Sequence, residues 1–424
     1  MKVLFITCYY APYNTIGAVR TTNTVKILRE LGWEVKVISA RDQNLPMNYD
    51  VSPSLYEDVT YSNWIDIDKP IKALIGAKKT RTTTTDNTPK PQKPSNLKKH
   101  LEELYRYFFH IPDSFIGWYP FAVKDGFEIM RNWKPDIIFS SATPYTSHLV
   151  AAKFASTLGI PWIAELRDLW SDNPYRKSGY IDRIIERKTL KFSTGIVTTS
   201  EPSAETLRKK YTAPCIEVRN GFDKEDFYPA EPFPRKQKIK ILYAGMIYAG
   251  KRDPTPLFLA LQKHPELSER IEVEFYGPKL DIVSAIAERY GVQRSVTIHP
   301  SISRSEILKK QQESDILLLL TWDDIKERGV IPGKLFEYIG ASRPILAIGA
   351  QTEITAHIIK SEGIGCSSNS PDTIAEFLFN CLDGDLPLKI NDSYIKCRDR
   401  YSRNLQVEKL SKFLLEHANL PISQ

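Results

Sequence analysis

Short apolar runs alternate with longer amphipathic stretches along most of the chain. In the first half, the apolar runs predict buried strands at Lys2–Thr7, Glu34–Ser39, Asp136–Ser140, Trp162–Glu165 and Gly195–Thr199. The stretches between them predict helices at Thr21–Leu31, Thr146–Leu158, Ile181–Phe192 and Glu201–Tyr211. Strands separated by helices of this length are typical of a parallel sheet built from βαβ units.

The same alternation restarts after a proline-rich segment at 226–235, which we interpret as a linker. The second half predicts strands at Lys238–Ala244, Glu272–Tyr276, Val296–His299, Ile316–Leu320 and Pro344–Ile348. We therefore expect an α/β protein with two doubly wound Rossmann-like domains, 1–225 and 236–400, that face each other across a cleft. A last helix within 401–424 could pack on either domain.

Two neighbouring segments depart from the alternation. The first, 76–96, is rich in threonine, proline and lysine, and it lacks the apolar residues that would offset the entropy of ordering it. It is predicted to be a mobile loop. The second, Lys98–Phe109, has aromatic and leucine residues at helical spacing beside basic ones. Such a helix can lie on an anionic membrane surface, or the same stripe can pack into the N-terminal core.

Composition narrows the class of protein. The 424 residues are 42% hydrophobic and 26% charged, which is typical of a soluble globular protein of two domains. No apolar run is long enough to span a bilayer, and the N-terminus is too short for a signal peptide. The cysteines are odd in number and widely spaced, which favours a reducing cytoplasm over disulfides or a zinc site.

The charge balance is compatible with anionic partners but identifies none. The formal charge is +7 and the pI is about 8.9. Nucleotide phosphate, acidic lipid and nucleic acid would all suit it. Zinc-finger spacings, aromatic RNA-binding patterns and dense basic helices are missing from the sequence, so we expect no nucleic-acid partner.

The most informative segment is 329–338, which follows the apolar run Ile316–Leu320. A turn with glycine and proline opens a helix at Gly333, where free backbone N–H groups favour an anion such as a diphosphate. Lys334 adds a cation, and Glu337, one turn later on the same face as Tyr338, can accept two hydrogen bonds from a ribose diol. This order of groups predicts a nucleotide-sugar site. An ordinary amphipathic helix with a solvated lysine and glutamate remains the alternative.

Together, the motifs of this chain resemble those of the retaining glycosyltransferases of family 4, which have the two-domain GT-B fold. The resemblance covers nearly the whole chain and rests on the order and spacing of segments that are each modest alone. These segments are Tyr9-Tyr10-Ala11-Pro12 with Gly17, Ile111-Pro112-Asp113, Gly117-Trp118, Ser140-Ser141-Ala142-Thr143-Pro144, Glu165-Leu166-Arg167-Asp168-Leu169-Trp170, Ala244-Gly245-Met246-Ile247-Tyr248 and Pro332-Gly333-Lys334-Leu335-Phe336-Glu337-Tyr338.

The resemblance implies transfer of a hexose or N-acetylhexosamine from a nucleoside diphosphate sugar to a glycan or lipid-linked acceptor. It implies a donor in the C-terminal domain, an acceptor in the N-terminal domain, and a role in surface polysaccharide or glycoconjugate synthesis. No cofactor is expected besides the co-substrate, with a UDP-sugar favoured over a GDP-sugar. The alternatives are a GT-B nucleotide-sugar epimerase and a catalytically silent GT-B partner subunit. The expected location is the cytoplasm or the inner face of the membrane.

The chain departs from the family pattern at the donor sugar. The family has two glutamates separated by seven residues; Glu337 matches the second, but Gly329 stands at the first. Glu327 or Arg328 could replace the missing carboxylate. The departure puts the identity of the donor sugar in doubt.

A second departure follows the first strand of the C-terminal domain. The family has a Gly-Arg pair with a lysine five residues beyond the arginine; here Gly245 and Lys251 are in place, but Met246 replaces the arginine. Arg252 could restore the charge, since a diphosphate leaving group becomes more negative as the glycosidic bond breaks. A metal ion could stabilise the diphosphate instead. The nearest candidate ligands, Asp323-Asp324, are interpreted as part of a surface loop, so metal independence is expected.

In the N-terminal domain, Arg167-Asp168 ends a predicted strand, where parallel sheets place their ligands. The family commonly has His-Asp here, and Arg-Asp-x-Trp marks a subgroup. Asp168 is expected to orient the acceptor hydroxyl, and Arg167 either contacts phosphate or sugar or forms a buried pair with the aspartate. Gly17 fits either a close approach to a diphosphate or a simple turn, and Arg20 either a phosphate contact or a solvated side chain.

The predicted catalytic residues are thus Asp168, Arg167 and Lys251. The predicted donor-binding residues are Gly17, Gly245, Lys251, Arg252, Gly333, Lys334 and Glu337. His148 and His299 are expected to be structural.

Overall fold

The computed structural model describes residues 1–43, 45–49, 51–69, 105, 109–176, 179–228, 237–248, 250–324, 329–351, 354–384 and 392–418. The chain divides into two compact units. The first comprises Met1–Thr198, Ser203–Glu217 and Leu410–Gln424, and the second comprises Thr199–Pro202 and Val218–Lys409. The predicted loop 76–96, Glu327, Arg328, most of the linker and most of Lys98–Phe109 lie outside the described residues.

The N-terminal unit is built on a parallel sheet with the strand order β3-β2-β1-β4-β5-β6-β7. Its strands are β1 (Lys2–Thr7), β2 (Glu34–Ala40), β3 (Val59–Ser62), β4 (Ile137–Ala142), β5 (Trp162–Leu166), β6 (Gly195–Thr198) and β7 (Cys215–Glu217). Its helices are α1 (Ile16–Glu30), α2 (Tyr119–Asn132), α3 (Thr146–Leu158), α4 (Tyr180–Leu190) and α5 (Glu201–Lys210). The central strands β4 and β5 are buried along their whole length, because helices cover both faces of such a sheet.

The C-terminal unit repeats the arrangement with the order β10-β9-β8-β11-β12-β13. Its strands are β8 (Ile239–Ala244), β9 (Ile271–Tyr276), β10 (Val296–His299), β11 (Ile316–Leu320), β12 (Ile345–Ile348) and β13 (Gly365–Ser367). Its helices are α6 (Thr255–Lys263), α7 (Pro265–Arg270), α8 (Asp281–Arg289), α9 (Arg304–Glu313), α10 (Gly333–Ala341), α11 (Ile354–Ser361), α12 (Pro371–Asp383), α13 (Asp392–Arg400) and α14 (Arg403–His417). Short 3-10 turns lie at Pro53–Leu55, Ile116–Trp118, Lys224–Asp226 and Gln293–Ser295.

Helix α14 contributes to both units. Near its start, the Arg403 Nε donates to the Asp223 carboxylate at 2.7 Å within the C-terminal unit. From Leu410 onward the helix belongs to the N-terminal unit, where the Trp33 indole donates to the Ser411 hydroxyl at 2.8 Å. A Cβ on Gly195 would overlap the Phe413 ring, so this part of the helix packs closely against β6.

The strand order of each sheet reverses at one point, and this point locates the candidate site. In the N-terminal unit the change lies between β1 and β4, and in the C-terminal unit between β8 and β11. The loops that leave the carboxyl ends of two such strands turn to opposite sides and leave a crevice between them, where open α/β sheets bind their ligands.

The structure confirms the predicted fold class of two doubly wound parallel sheets. The structure differs from the prediction at several places, including helix α2, which was not predicted. Helix α1 begins at Ile16 rather than Thr21, because the Thr15 hydroxyl caps the Ala18 amide and starts the helix early. The strands β3, β7 and β13 were not predicted, since they are short edge strands without a continuous apolar run.

The described helices include none that is long and apolar enough to cross a membrane.

Candidate functional site

Gly245 and Lys334 meet at the point where the strand order of the C-terminal sheet reverses. Gly245 directly follows β8 and adopts a φ of 138°, which side-chain-bearing residues rarely adopt. A Cβ at this position would overlap the Lys334 Nζ, so only glycine leaves room for the ammonium. Lys334 extends from the first turn of α10, and its Nζ lies 4.5 Å from the centroid of the Tyr243 ring. The two predicted donor-binding residues are therefore neighbours.

The Lys334 ammonium lies in an electrostatically unfavourable place. Burial, followed by the repulsion of the nearby Arg252 guanidinium, lowers the pKa of Lys334 to about 8. The Glu337 carboxylate opposes this shift but does not cancel it. A buried cation without a close carboxylate partner gains most from an anion that binds beside it.

The N-terminus of α10 is open beside this lysine. Pro332 occupies the N-cap and offers no capping side chain to the first turn. An added Cβ at Gly333 would meet nothing within 4 Å. An uncapped helix start with a neighbouring ammonium has the donors and the charge that a diphosphate requires.

Glu337 lies one turn further along α10 and is half-buried. Its Oε1 is 3.9 Å from the Arg304 Nη2, and the Gln311 side chain also hydrogen-bonds to its carboxylate. Desolvation raises the pKa of Glu337, while Arg304, Gln311 and Lys334 act in the opposite direction. Arg304 is itself held by Asp226, with Nη1 and Oδ2 2.9 Å apart. The carboxylate is thus held in place at the edge of the site, with part of its surface exposed.

Tyr338, predicted on the same face, is instead fully buried, and its hydroxyl donates to the Leu318 carbonyl at 3.2 Å. It fixes α10 to β11 and takes no part in the site. This result corrects the simple helical-face argument, because one face of a short helix can serve both the core and a site.

The two basic residues that follow β8 have different surroundings. The Arg252 Nη1 donates to the Met246 carbonyl at 3.3 Å, and the same carbonyl accepts from the Tyr243 hydroxyl at 3.0 Å. Arg252 therefore belongs to the cluster around Lys334. Lys251 is exposed, and its Nζ lies 4.1 Å from the centroid of the Trp322 ring in the loop after β11. Its charge is positioned by an aromatic face rather than by a carboxylate.

The same loop continues into the pair Asp323 and Asp324. Within the part of the chain that the structure describes, no group of three or more His, Cys, Asp or Glu side chains is placed to hold a metal ion. Asp323 is exposed, and the Asp324 amide donates to the Trp322 carbonyl at 3.1 Å.

In the N-terminal unit, Gly17 and Arg167 are also neighbours. Gly17 lies in the first turn of α1 rather than in the loop that the sequence predicted. A Cβ on Gly17 would overlap an Nη atom of Arg167, so the glycine makes room for the guanidinium. Arg167 follows β5, and it donates through Nε to the Ala142 carbonyl at 3.0 Å and through Nη2 to the Thr143 carbonyl at the end of β4. Its positive charge thus lies at the start of α1.

The sequence suggested that Arg20 is either a phosphate contact or a solvated side chain. The structure shows neither of these roles. Arg20 is buried, and its Nη2 lies 2.6 Å from the Glu165 Oε1. The Ser141 hydroxyl donates to the other carboxylate oxygen at 2.5 Å. These bonds and the arginine hold the pKa of Glu165 below its ordinary value although burial acts in the opposite direction. The pair ties α1 to β5 and so fixes the position of Gly17.

Asp168 is exposed at the carboxyl end of β5 and makes no hydrogen bond with the residues that the structure describes. Its carboxylate is therefore available to an incoming group. Nearby, the Asp113 carboxylate accepts hydrogen bonds from the Thr146 amide at 2.9 Å and the Thr146 hydroxyl at 2.8 Å, which caps α3. Asp113 has a structural role.

The two histidines are structural as well. The His148 Nδ1 lies 2.8 Å from the Ser140 hydroxyl, and burial lowers the pKa of this histidine to about 3, so it stays neutral. His299 stacks on Tyr276 with a centroid distance of 4.4 Å.

Sequence reasoning missed the residues that support the site: Tyr243 beneath Lys334, Arg304 and Gln311 beside Glu337, and Trp322 beneath Lys251. Only Tyr243 carried a usable signal, since it lies near the end of a predicted strand, two residues before Gly245. The others come from different elements of the fold and have no spacing relative to the residues they support.

The arrangement of these residues indicates which chemical groups each unit could bind. The C-terminal unit offers a helix start, Lys334 and Arg252 for a diphosphate and Glu337 for a diol. The N-terminal unit offers Arg167 at a second helix start and the free carboxylate of Asp168.

Comparison with known proteins agrees with this chemistry. Residues 17–226 match the model of Glycosyltransferase Family 4. No curated protein sequence matches the chain.

Several solved structures similar to this chain are glycosyltransferases. A glycosyltransferase from Rickettsia africae has a TM-score of 0.60 at 15% identity, covering 99% of this chain and 98% of its own. The lipopolysaccharide outer core galactosyltransferase WaaB has a TM-score of 0.60 at 14% identity, covering 98% and 99%. Anabaena HepE in complex with UDP has a TM-score of 0.63 at 11% identity, covering 98% and 100%.

At these identities the structural likeness shows the fold alone, which is that of the two-domain GT-B glycosyltransferases. The family match covers most of the N-terminal unit. Residues 17–226 are therefore similar to glycosyltransferase family 4, and this match together with the GT-B fold supports a glycosyltransferase.

Proposed function

We propose that this protein is a retaining glycosyltransferase that moves a hexose or N-acetylhexosamine from a nucleoside diphosphate sugar to a glycan or lipid-linked acceptor. The observation that carries this proposal is the position of Lys334. A partly buried ammonium with a lowered pKa lies against Gly245 and beside the uncapped start of α10. Such a group is poorly stabilised until a diphosphate binds to it.

The residues take the following roles. The start of α10, Lys334 and Arg252 bind the diphosphate, and Glu337 accepts hydrogen bonds from the ribose diol. Lys251 adds positive charge from the loop after β8. These cations accelerate the reaction because the negative charge on the leaving diphosphate grows as the bond to the sugar breaks. A metal ion is then not required, and the activity is expected to survive chelation.

Asp168 and Arg167 act from the N-terminal unit. Asp168 orients the acceptor hydroxyl, and Arg167, with the start of α1 at Gly17, contributes charge toward the phosphate or the sugar. The acceptor oxygen forms a bond to the anomeric carbon on the face that the leaving phosphate vacates. The acceptor proton passes to the phosphate oxygen that departs, so the anomeric configuration is retained without a covalent enzyme intermediate.

A UDP-sugar is the favoured donor. Similar structures are those of HepE in complex with UDP-glucose and of Staphylococcus aureus TarM with UDP and α-GlcNAc-glycerol. WaaB and WaaG are named for lipopolysaccharide synthesis, which agrees with a role in surface polysaccharide or glycoconjugate synthesis. The five cysteines form no disulfide, which suits a reducing compartment such as the cytoplasm.

The test is a screen of UDP, GDP and ADP sugars by calorimetry and by turnover, with and without EDTA. The proposal predicts binding of one donor class, release of its nucleoside diphosphate, and no loss of activity on chelation. Isomerised donor would show an epimerase, and binding without turnover would show a silent partner subunit. Activity that EDTA abolishes and a metal restores would show that the diphosphate is handled differently.

A further inference from the structure

Helix α4 of the N-terminal unit carries an unusual outer face. Its exposed residues follow helical spacing and share a positive or apolar character, with no carboxylate among them. We define the α4 outer face by Tyr180, Ile181, Arg183, Arg187, Lys188 and Lys191. None of these cations forms an ion pair with a residue that the structure describes. A solvated helix face more often alternates both signs of charge.

The carboxylates of this helix point the other way. Asp182 and Glu186, one turn apart, are both buried. Asp182 lies 2.6 Å from the Arg176 Nη2, and Glu186 lies 2.9 Å from the Lys210 Nζ. Burying two carboxylates costs free energy that their partners must offset. The result is that α4 presents an outer face on which every charge is positive.

The apolar residues gather at one end of the helix. Tyr180 is 76% exposed and Ile181 is 43% exposed at the start of α4, and Tyr175, in the loop before it, is 54% exposed. This loop leaves the carboxyl end of β5, which also bears Asp168. In a parallel sheet the crossover helix starts at that edge. The exposed apolar tip therefore lies at the same edge of the sheet as the proposed acceptor residue.

We propose that the α4 outer face docks on the surface of an anionic lipid bilayer. The four cations complement acidic headgroups, and the exposed Tyr180 and Ile181 enter the headgroup layer, as in helices that lie in a membrane interface. An acidic polymer would be attracted by the same cations, but it would not bury an exposed isoleucine and tyrosine. This surface differs from the segment Lys98–Phe109, most of which lies outside the described residues.

Docking through this face explains how a lipid-linked acceptor would reach the enzyme. The rim that bears Tyr180 is the rim that bears Asp168, so a headgroup at the membrane surface is presented to the acceptor side of the N-terminal unit. This step rests on the proposed function, whereas the docking itself does not. Membrane binding can therefore be measured in the absence of any donor or turnover.

The experiment is flotation of the purified protein with vesicles of phosphatidylcholine alone or with about one third phosphatidylglycerol. The unmodified protein is expected to float with the anionic vesicles, to remain unbound with neutral ones, and to dissociate partly at high salt. Replacing one cation of the face with glutamine should weaken binding about fivefold. The fourfold variant R183Q/R187Q/K188Q/K191Q should lose it on the order of 100-fold or more.

A matched control removes the same charge elsewhere. Arg289, Arg294, Lys309 and Lys360 are exposed on the C-terminal unit, and their replacement by glutamine should leave flotation nearly unchanged. The pair Y180S/I181S should abolish the binding that persists at high salt. All these positions are exposed, so equal melting temperatures will verify that the variants fold.

The proposal is overturned if the unmodified protein does not float with anionic vesicles, or if the fourfold variant floats as well as the unmodified protein. Binding to soluble polyphosphate without flotation would also overturn it and would identify an acidic polymer as the partner. Flotation without any sugar transfer would support the docking surface and count against the proposed function alone.

Discussion

The pKa of Lys334 makes donor binding depend on pH in a range where an ordinary lysine would not titrate. With a pKa of about 8, this lysine is charged at neutral pH and loses its proton as the pH rises through 8. If only the ammonium form binds the diphosphate, the apparent Kd of UDP should rise about 2-fold at pH 8 and about 11-fold at pH 9. A lysine with an ordinary pKa would change the Kd by only about 4% at pH 9.

The assay is calorimetric titration with UDP between pH 6.5 and 9, on the unmodified protein and on Lys334→Met. The variant lacks the titrating group, so its profile reports the nucleotide and every other residue. At neutral pH it should bind UDP about 1.5–3 kcal/mol more weakly, the range for a hydrogen bond to a charged group. The ratio of the two Kd values should fall toward 1 as the pH rises. Lys360→Met, an exposed lysine on α11, should behave like the unmodified protein.

The lowered pKa of Lys334 also makes folding stability depend on pH, but in the opposite direction: donor binding weakens as the pH rises, whereas stability increases. Since the folded pKa lies below the unfolded one, the unfolded chain binds more protons between pH 8 and about 10.4, and stability should rise with pH in that window. At neutral pH, Lys334→Met removes the cost of holding a desolvated charge, so it should stabilise the protein by about 1–3 kcal/mol in urea denaturation. Parallel pH profiles for the variant and the unmodified protein, with no gain in stability, would show that Lys334 is neither strained by burial nor titrating near pH 8.

Three further predictions follow from the site and its supports. Glu337→Ala should weaken UDP binding by about 1.5–3 kcal/mol at an unchanged melting temperature, and an unaltered calorimetric affinity would remove Glu337 from the site. Gly17→Ala should displace the Arg167 guanidinium and so lower turnover. In a double-mutant cycle, Arg167→Ala should reduce turnover less in the Gly17→Ala background than in the unmodified protein. Additive losses of turnover would show that the two residues act separately. Arg20→Met should destabilise the fold by about 3–5 kcal/mol in urea denaturation because it leaves the buried Glu165 unpaired, and pairing it with Glu165→Leu should recover much of the loss; a neutral single variant would contradict the role of this pair.

The sequence predicted the central strands well because they are short, apolar and fully buried. The predicted run Ile316–Leu320 matches β11, and the predicted helix Thr146–Leu158 matches α3. The start of α1 was missed because Thr15 and Gly17 resemble loop residues when the partners of their side chains are unknown. The last two-thirds of the helix carried enough apolar spacing to be recognised.

The candidate site shows the same division between local and long-range information. Local spacing was enough to nominate Lys334 and Glu337, which lie on one helix. It could not show that Lys334 lies against Gly245. Gly245 follows β8 and Lys334 lies on α10, and these two elements are distant in sequence and meet only in the folded structure. Nor could local spacing show that Arg20 has its partner in Glu165 and Glu337 its neighbour in Arg304. Ion pairs between distant parts of the chain depend on the packed structure, and one sequence does not encode their register in a readable pattern.

Retaining transfer from a donor bound by Lys334 and Glu337 is tested most directly by following a nucleotide sugar by proton and phosphorus NMR with enzyme present. We expect nucleoside diphosphate to appear while the first-formed sugar product keeps the anomeric configuration of the donor. Lys334→Met and Glu337→Ala should slow both signals together. A first product of inverted configuration, or a donor that isomerises with its diphosphate still attached, would contradict retaining transfer.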